Sequence, residues 1–301
     1  MTREIYFAGG CFWGAEHFFR KIDGVRNTAV GFANGRTPDP TYEEVYTDST
    51  GYAETVRVCY DPAVVPLSFL LDGFFRMIDP LSLNRQGEDV GTRYRTGVYY
   101  VSEEDLLEIR AAFDRAARRL GAAPVTECEP LRCFFPADGR HQKYLEVHPD
   151  GYCHVPLKAF RYVRLLQDLG YLLGDETDAV ARQANAASLI RERMGFFWVG
   201  FYRVDGESLV LGPFQGTPAC QRIPFGKGVC GTAWARRETV VVPDVGQFPG
   251  HIACSSASRS EIVVPLLRDG AVTAVLDIDS TAIGEFDATD AAWLEALVNL
   301  I

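Results

Sequence analysis

The stretch Ile5-Tyr6-Phe7-Ala8-Gly9-Gly10-Cys11-Phe12-Trp13-Gly14-Ala15-Glu16-His17-Phe18-Phe19 reads as a short strand, Ile5 to Ala8, that turns through two glycines into a helix. It sets Cys11 at the helix start, where unpaired N–H groups and the positive dipole end favour a thiolate and lower the thiol pKa. A small buried cysteine at a tight turn has the same local pattern. Outward from this unit, Thr55-Val56-Arg57-Val58-Cys59-Tyr60 alternates at period two as a strand does, and Leu67 to Ile78 is an apolar helical stretch. Thr96 to Val101 reads as a further strand. Ser102 then caps a helix with Glu103, Glu104 and Asp105 in its first turn, a core face of Leu106, Ile109, Phe113, Ala117 and Leu120, and a stop at Gly121. Residues 124–160 carry five prolines and read as loops.

From Phe160 the texture changes. Helix is predicted from about Arg161 to Leu173 and again, after Gly174-Asp175, through Met194. Paired strands follow: Phe197 to Val204 with Leu209 to Leu211 across Asp205-Gly206, and Ile262 to Leu267 with Val272 to Ile278 across Asp269-Gly270. A last helix follows Phe286. With 301 residues the chain is long enough for two α+β domains, placed at 1–162 and 163–301 with the boundary near 160–165. Each is large enough to hold together without disulfide staples. Hydrophobic residues at 47% and charged residues at 23% are ordinary globular values. A net charge of -10 argues against a nucleic-acid partner. The start lacks a signal-peptide core and no apolar run reaches ~18 residues, so a soluble, cytoplasmic protein with no membrane partner is expected.

Eight cysteines are present, none in Cys-x-x-Cys spacing and none completing a zinc-finger pattern with a histidine. Reduced, partly reactive thiols are the expectation. In the second half, Gly226-Lys227-Gly228-Val229-Cys230-Gly231 fits Gly-x-Gly-x-x-Gly, yet the strand Thr239-Val240-Val241-Val242 begins too soon for a dinucleotide-binding βαβ unit. Cys220, Cys230 and Cys254 all stand beside glycine or proline in stretches that read as loops, where reactive groups concentrate. Downstream, Asp277 and Asp279 share one strand face with Val275, and two carboxylates so close should leave one protonated towards neutral pH. A solvated strand end would look the same.

Gly10-Cys11-Phe12-Trp13-Gly14-Ala15-Glu16 closely resembles the active-site signature of the A-type peptide-methionine sulfoxide reductases. The likeness runs on, in family order, through Asp39-Pro40-Thr41-Tyr42-Glu43-Glu44-Val45, Thr50-Gly51-Tyr52-Ala53-Glu54, Leu83 to Arg95, His141-Gln142-Lys143-Tyr144-Leu145 and Gly151-Tyr152-Cys153-His154. The resemblance implies an α/β sandwich in which Cys11 attacks the sulfoxide sulfur and Glu54, its pKa raised by burial, protonates the oxygen. It also implies hydroxyl donors at Tyr42 and Tyr94, an ordering role for Asp89 and an apolar wall of Phe12 and Trp13 for the substrate methyl group. Cys153 matches the resolving cysteine that converts a Cys11 sulfenic acid into a disulfide for thioredoxin. The sequence departs from the family at Tyr52 and Ile78, where histidine is common. Cys59, Cys128 and Cys133 read as structural.

Val199-Gly200-Phe201-Tyr202, Leu211-Gly212-Pro213-Phe214-Gln215-Gly216, Ser258-Arg259-Ser260-Glu261-Ile262 and Leu276-Asp277-Ile278-Asp279-Ser280 join the three cysteine stretches in resembling the free methionine-(R)-sulfoxide reductases built on a GAF domain. That likeness covers roughly residues 161–301. It implies an antiparallel sheet flanked by helices, Cys254 as nucleophile, Cys220 as its main disulfide partner and Cys230 as an auxiliary thiol. Glu261, Asp277 and Asp279 would bind the free amino acid, and Trp198 and Tyr202 would line its pocket. Together the two resemblances imply a bifunctional oxidoreductase for opposite sulfoxide epimers, acting on oxidised proteins and free methionine sulfoxide. Thioredoxin or a small dithiol would be the reductant, with no metal or organic cofactor. The alternative from another class is an N-terminal reductase regulated by a non-catalytic GAF domain that senses free methionine sulfoxide.

Overall fold

The computed structural model describes residues 2–301 and divides the chain into two compact units, Met1–Phe160 and Arg161–Ile301. In the first unit, β1 (Arg3–Gly9) runs into α1 (Phe12–Phe19), followed by β2 (Val25–Ala33), α2 (Tyr42–Tyr46), β3 (Ala53–Tyr60) and α3 (Leu67–Met77). A two-stranded hairpin, β4 (Arg85–Gln86) and β5 (Asp89–Val90), precedes β6 (Thr96–Tyr100) and α4 (Leu106–Leu120). Then come β7 (Glu127–Pro130), β8 (Phe134–Pro136) and α5 (Tyr144–Val147). The sheet order is β7-β6-β1-β3-β2-β8, antiparallel except for the parallel β6–β7 pair.

The period-two alternation of β1 sorts its side chains. Phe7 stacks on Phe19 of α1 at 4.5 Å and leans on Phe74 of α3 at 4.9 Å, so this face is the main core. Tyr6 and Ala8 point the other way and join Ala33, Ala53 and Tyr99, with Leu131 and Phe134 packed over them. That second cover comes from the proline-rich stretch expected to be loops. It forms β7 and β8 because their short runs add to the two free sheet edges, a pairing that local propensity does not reveal. Ser102 does accept the Glu104 N–H, and Gly121 closes α4 in the left-handed region with φ 68°. The fully buried residues of α4 are Ile109, Ala112 and Ala116; Leu106, Phe113, Ala117 and Leu120 are half-buried. The core face is thus turned slightly from the expected one.

The helix α6 (Leu157–Leu173) contains the point of division, and α7 (Ala179–Met194) follows it. The second unit continues with β9 (Trp198–Asp205), β10 (Ser208–Gln215), β11 (Arg222–Pro224), α8 (Gly228–Arg236), β12 (Val240–Val242), β13 (Ser260–Arg268), β14 (Ala271–Ser280) and α9 (Ala288–Val298). Its sheet, β11-β10-β9-β14-β13-β12, is antiparallel throughout. Asp269 and Gly270 join β13 to β14 with φ of 51° and 77°, the two positive values that a tight primed turn requires. No helix among the described residues is long and apolar enough to cross a membrane.

Candidate active sites

The first site grows from the end of β1. Phe7 pairs with Val56, so Glu54, two residues earlier on β3, projects to the same face where β1 leaves the sheet. Gly10 makes the turn with φ 79°, and a Cβ there would lie 2.6 Å from Gln86. Gln86 in turn holds Asp79 by a pair of 2.8 Å hydrogen bonds, which fixes the β4–β5 hairpin that carries Asp89. Cys11 becomes the N-cap of α1, and the next residue, Phe12, donates its backbone N–H to the Glu54 carboxyl at 3.0 Å.

Cys11 and Glu54 are both buried, and burial governs both pKa values. Desolvation, with the charge of Asp89 adding to it, pushes Glu54 up to about 8 against the pull of the Phe12 N–H. Desolvation and then the Glu54 charge hold the Cys11 thiol well above its ordinary value. The helix start does act, through the Trp13 N–H, but it loses to burial. The expectation of a lowered Cys11 pKa is therefore corrected: the resting group is a thiol.

Tyr42 stands at the first turn of α2, where Thr41 and Glu44 form a reciprocal capping box. Burial and the Glu54 charge raise its hydroxyl to about 12 and raise that of Tyr94 as well, so both remain proton donors. Tyr94 ends a single 3₁₀ turn, Thr92–Tyr94, anchored by Asp48, which accepts from Thr92 N, Thr92 Oγ1 and Arg93 N. The Arg93 guanidinium lies 4.4 Å over the Tyr94 ring. Asp89 accepts the Tyr152 hydroxyl at 2.9 Å, which ties down the segment bearing Cys153. Phe12 is buried against Phe32, while half-buried Trp13 stacks on Tyr144 at 3.9 Å. Cys153 sits on the first turn of α1, so close that a Cβ at Gly14 would lie 2.9 Å from its Sγ.

Three further residues belong to this site without having been singled out: Asp48, Tyr152 and His141. His141 is buried and stacks on Tyr42 at 4.5 Å and on Trp13 at 5.8 Å. Tyr52 is turned away: its hydroxyl donates to the Thr37 carbonyl and its ring covers Gly35. Ile78 packs against Gly9 at the end of α3. Cys59 faces Glu4 at 3.1 Å, Cys133 contacts the Tyr52 hydroxyl at 3.9 Å and Cys128 is exposed on β7.

The second site is built by register. Glu261 pairs with Asp279, Asp279 with Trp198 and Asp277 with Gly200, so three carboxyls and an indole share one sheet face. Gly200 is required: a Cβ there would meet the Trp198 ring at 2.3 Å and Phe214 Cβ at 2.5 Å. Trp198 Nε1 donates to the Thr217 carbonyl and the Tyr202 hydroxyl to the Cys220 carbonyl, each at 3.0 Å, so the sheet grips the loop that carries Cys220. Cys220 and Cys254 are joined as a disulfide with Cα atoms 5.3 Å apart. Trp198, Tyr202, Cys254 and the three carboxyls line one cavity together with His251, Ile252 and Ser258.

Cys230 is not in a loop. It lies in the first turn of α8, buried in the core, with Sγ 3.9 Å from Glu261 Oε1. The two glycines before it suggested a loop, but α8 starts at Gly228 itself and its Val229, Cys230 and Ala233 pack on the sheet. Burial and the neighbouring carboxyls push this thiol well up. Desolvation and mutual repulsion likewise raise Glu261 and Asp277 well above the carboxylate range, and desolvation raises Asp279 to about 6.

A buried thiol at a helix start against an uncharged carboxylic acid, with tyrosine donors and a second cysteine beside it, defines a thiol-dependent oxidoreductase. The family model for peptide methionine sulfoxide reductase matches residues 3–168, more than half of the chain, and a GAF domain model matches residues 176–301. The chain belongs to the peptide methionine sulfoxide reductase family and carries a GAF domain after the reductase domain. It is 54% identical over 154 residues to the peptide methionine sulfoxide reductase MsrA of Clostridium acetobutylicum, covering 51% of this chain and 95% of that protein. The crystal structure of Mxr1 from Saccharomyces cerevisiae in reduced form is 37% identical, covering 52% of this chain and 92% of that one, with a TM-score of 0.50. The second half is similar to the free methionine-R-sulfoxide reductase from Neisseria meningitidis in complex with its substrate, at 55% identity, 46% of this chain, 84% of that one and a TM-score of 0.46.

Proposed function

We propose that the protein is a bifunctional methionine sulfoxide reductase: the first unit reduces the S-epimer, free or within oxidised proteins, and the second reduces the free R-epimer. One observation carries the reading. Each unit sets redox-capable cysteines beside carboxylic acids whose pKa is raised by burial, Glu54 to about 8 in one and Glu261 with Asp277 well above the ordinary range in the other. A sulfoxide oxygen leaves only when it is protonated, so such an acid is what the reaction needs.

In the first unit Glu54 donates its proton to the oxygen, with the Tyr42 and Tyr94 hydroxyls as further donors. The Cys11 sulfur attacks the sulfoxide sulfur, and its thiol proton passes to the Glu54 carboxylate. The sulfoxide S–O bond and the newly formed S–S bond then break as the oxygen passes to Cys11, leaving the thioether and a Cys11 sulfenic acid. The Cys153 thiol then displaces water to form a disulfide, which thioredoxin or a small dithiol reduces. Thiols supply both electrons, so the route needs no metal or organic cofactor.

In the second unit Cys254 takes the role of nucleophile and Cys220 that of partner, supported by their disulfide at the cavity. The carboxyls receive the ammonium group of a free amino acid and protonate the sulfoxide oxygen. A sensory GAF domain would need the cavity but not the cysteine pair, which favours turnover. Two sites follow from stereochemistry, since a chiral pocket that hydrogen-bonds one epimer leaves its donors unpaired with the other. Cys11→Ser should abolish S-epimer reduction and spare the R-epimer, and Cys254→Ser should do the reverse, as read by chiral chromatography of racemic free methionine sulfoxide. If either change silences both activities, the two-site reading is wrong.

A further inference from the structure

The cavity of the second unit holds more than a cysteine pair and an ammonium site require. Cys230 Sγ and one carboxyl oxygen each from Glu261 and Asp277 lie within 4.8 Å of one another. The three come from α8, β13 and β14, so their positions are set by regular structure rather than by a loop. His251 Nε2 approaches Glu261 Oε2 at 3.7 Å and adds an imidazole. Asp277 is only 7% exposed, and its Oδ1 is buried without a hydrogen-bond partner. The residues lining the cavity include no lysine or arginine to answer these acids.

We propose that Cys230, Glu261 and Asp277, with His251 at their side, form a binding site for a thiophilic divalent cation such as Zn²⁺. Tetrahedral zinc with sulfur at about 2.3 Å and oxygen or nitrogen at about 2.0 Å separates its ligands by roughly 3.5 Å. The Cys230–Glu261 distance of 3.9 Å is already close to that value. The remaining separations, all within 4.8 Å, are the ones the ion would draw in. The cation takes Cys230 as a thiolate and Glu261 and Asp277 as carboxylates, the displaced protons leaving to solvent, and it satisfies the orphan Asp277 oxygen. The thiolate selects zinc or cadmium over magnesium and calcium, which prefer all-oxygen sites. A bound ion would occupy the place assigned above to the substrate ammonium and so inhibit the second activity. That consequence rests on the proposed function, whereas the binding itself does not.

The test uses the whole protein with the Cys220–Cys254 disulfide closed, so that this pair cannot act as a dithiol ligand. Equilibrium dialysis should show one Zn²⁺ per chain that is lost in Cys230→Ser and bound at least tenfold more weakly in Glu261→Gln. Co²⁺ as a probe should give a thiolate-to-metal charge-transfer band in the near ultraviolet that disappears in Cys230→Ser. Equal stoichiometry and an unchanged band in Cys230→Ser would overturn the proposal, because the other free cysteines would then be the ligands. Should that variant fold poorly, Asp277→Asn gives the same decision: an undiminished Co²⁺ band refutes the site, and a weakened one supports it. Displacement of Zn²⁺ by millimolar Mg²⁺ would also refute it.

Discussion

Replacing Glu54 with glutamine keeps the side chain's shape and its acceptor for the Phe12 N–H, which lies at 3.0 Å, while removing the proton that the sulfoxide oxygen needs. General acids contribute about 10²–10⁴-fold, so single-turnover release of methionine should slow by that factor. The wild-type rate should be flat at neutral pH and fall as pH rises through about 8, where Glu54 ionises. The same shift predicts that stability also falls as pH rises. Because the folded pKa is raised, the folded chain binds more protons than the unfolded one between the ordinary 4.5 and about 8. Its stability is thus fully present below 4.5 and is lost as pH rises through 8. At pH 7 keeping this carboxyl neutral costs about 3 kcal/mol, at about 1.4 kcal/mol per pH unit. Glutamine escapes that cost, so the slow variant should be the more stable one at pH 7 and should lose the pH dependence. Rapid-quench release of methionine and denaturant unfolding across the pH range measure the two effects. A loss below a few-fold, or a wild-type rate that stays flat above pH 9, would refute Glu54 as the proton donor.

Cys153→Ser should still release one methionine per Cys11 while thioredoxin-driven cycling on the S-epimer falls sharply; unchanged cycling would move the resolving role to another thiol. Tyr52→Phe should leave the pH profile of the first activity unchanged, since the hydroxyl serves the Thr37 carbonyl and not Glu54. A displaced upper limb of that profile would contradict this. Gly200→Ala should destabilise the second unit by about 1–3 kcal/mol through overpacking against Trp198 and Phe214, with a red-shifted tryptophan emission as the ring is displaced. Wild-type thermal stability in that variant would count against the close approach.

Much of the site was legible because its chemistry is local. Gly10 before Cys11, the Tyr-Glu-Glu turn at Tyr42, the period-two face of Asp277 and Asp279 and the Asp269-Gly270 hairpin are all set by backbone conformations that neighbouring residues impose. The two ordered sets of motifs therefore pointed to both halves of the family assignment. What stayed hidden depends on groups far apart in the chain. Register alone brings Glu261 opposite Asp279 and Trp198, and only packing on the sheet turns the Gly226–Gly231 stretch into the start of α8 with Cys230 inside the core. The strands β7 and β8 exist because free sheet edges accept them, whatever their prolines suggest. The protonation of Cys11 shows the same division: its position at a helix start could be read from residues 5–19, but its pKa is set by desolvation and by Glu54, 43 positions away. Sequence by itself determined which chemical groups are present and which local geometry carries them. Tertiary structure decided their charge states and partners, because desolvation and Coulomb energy depend on distances through space.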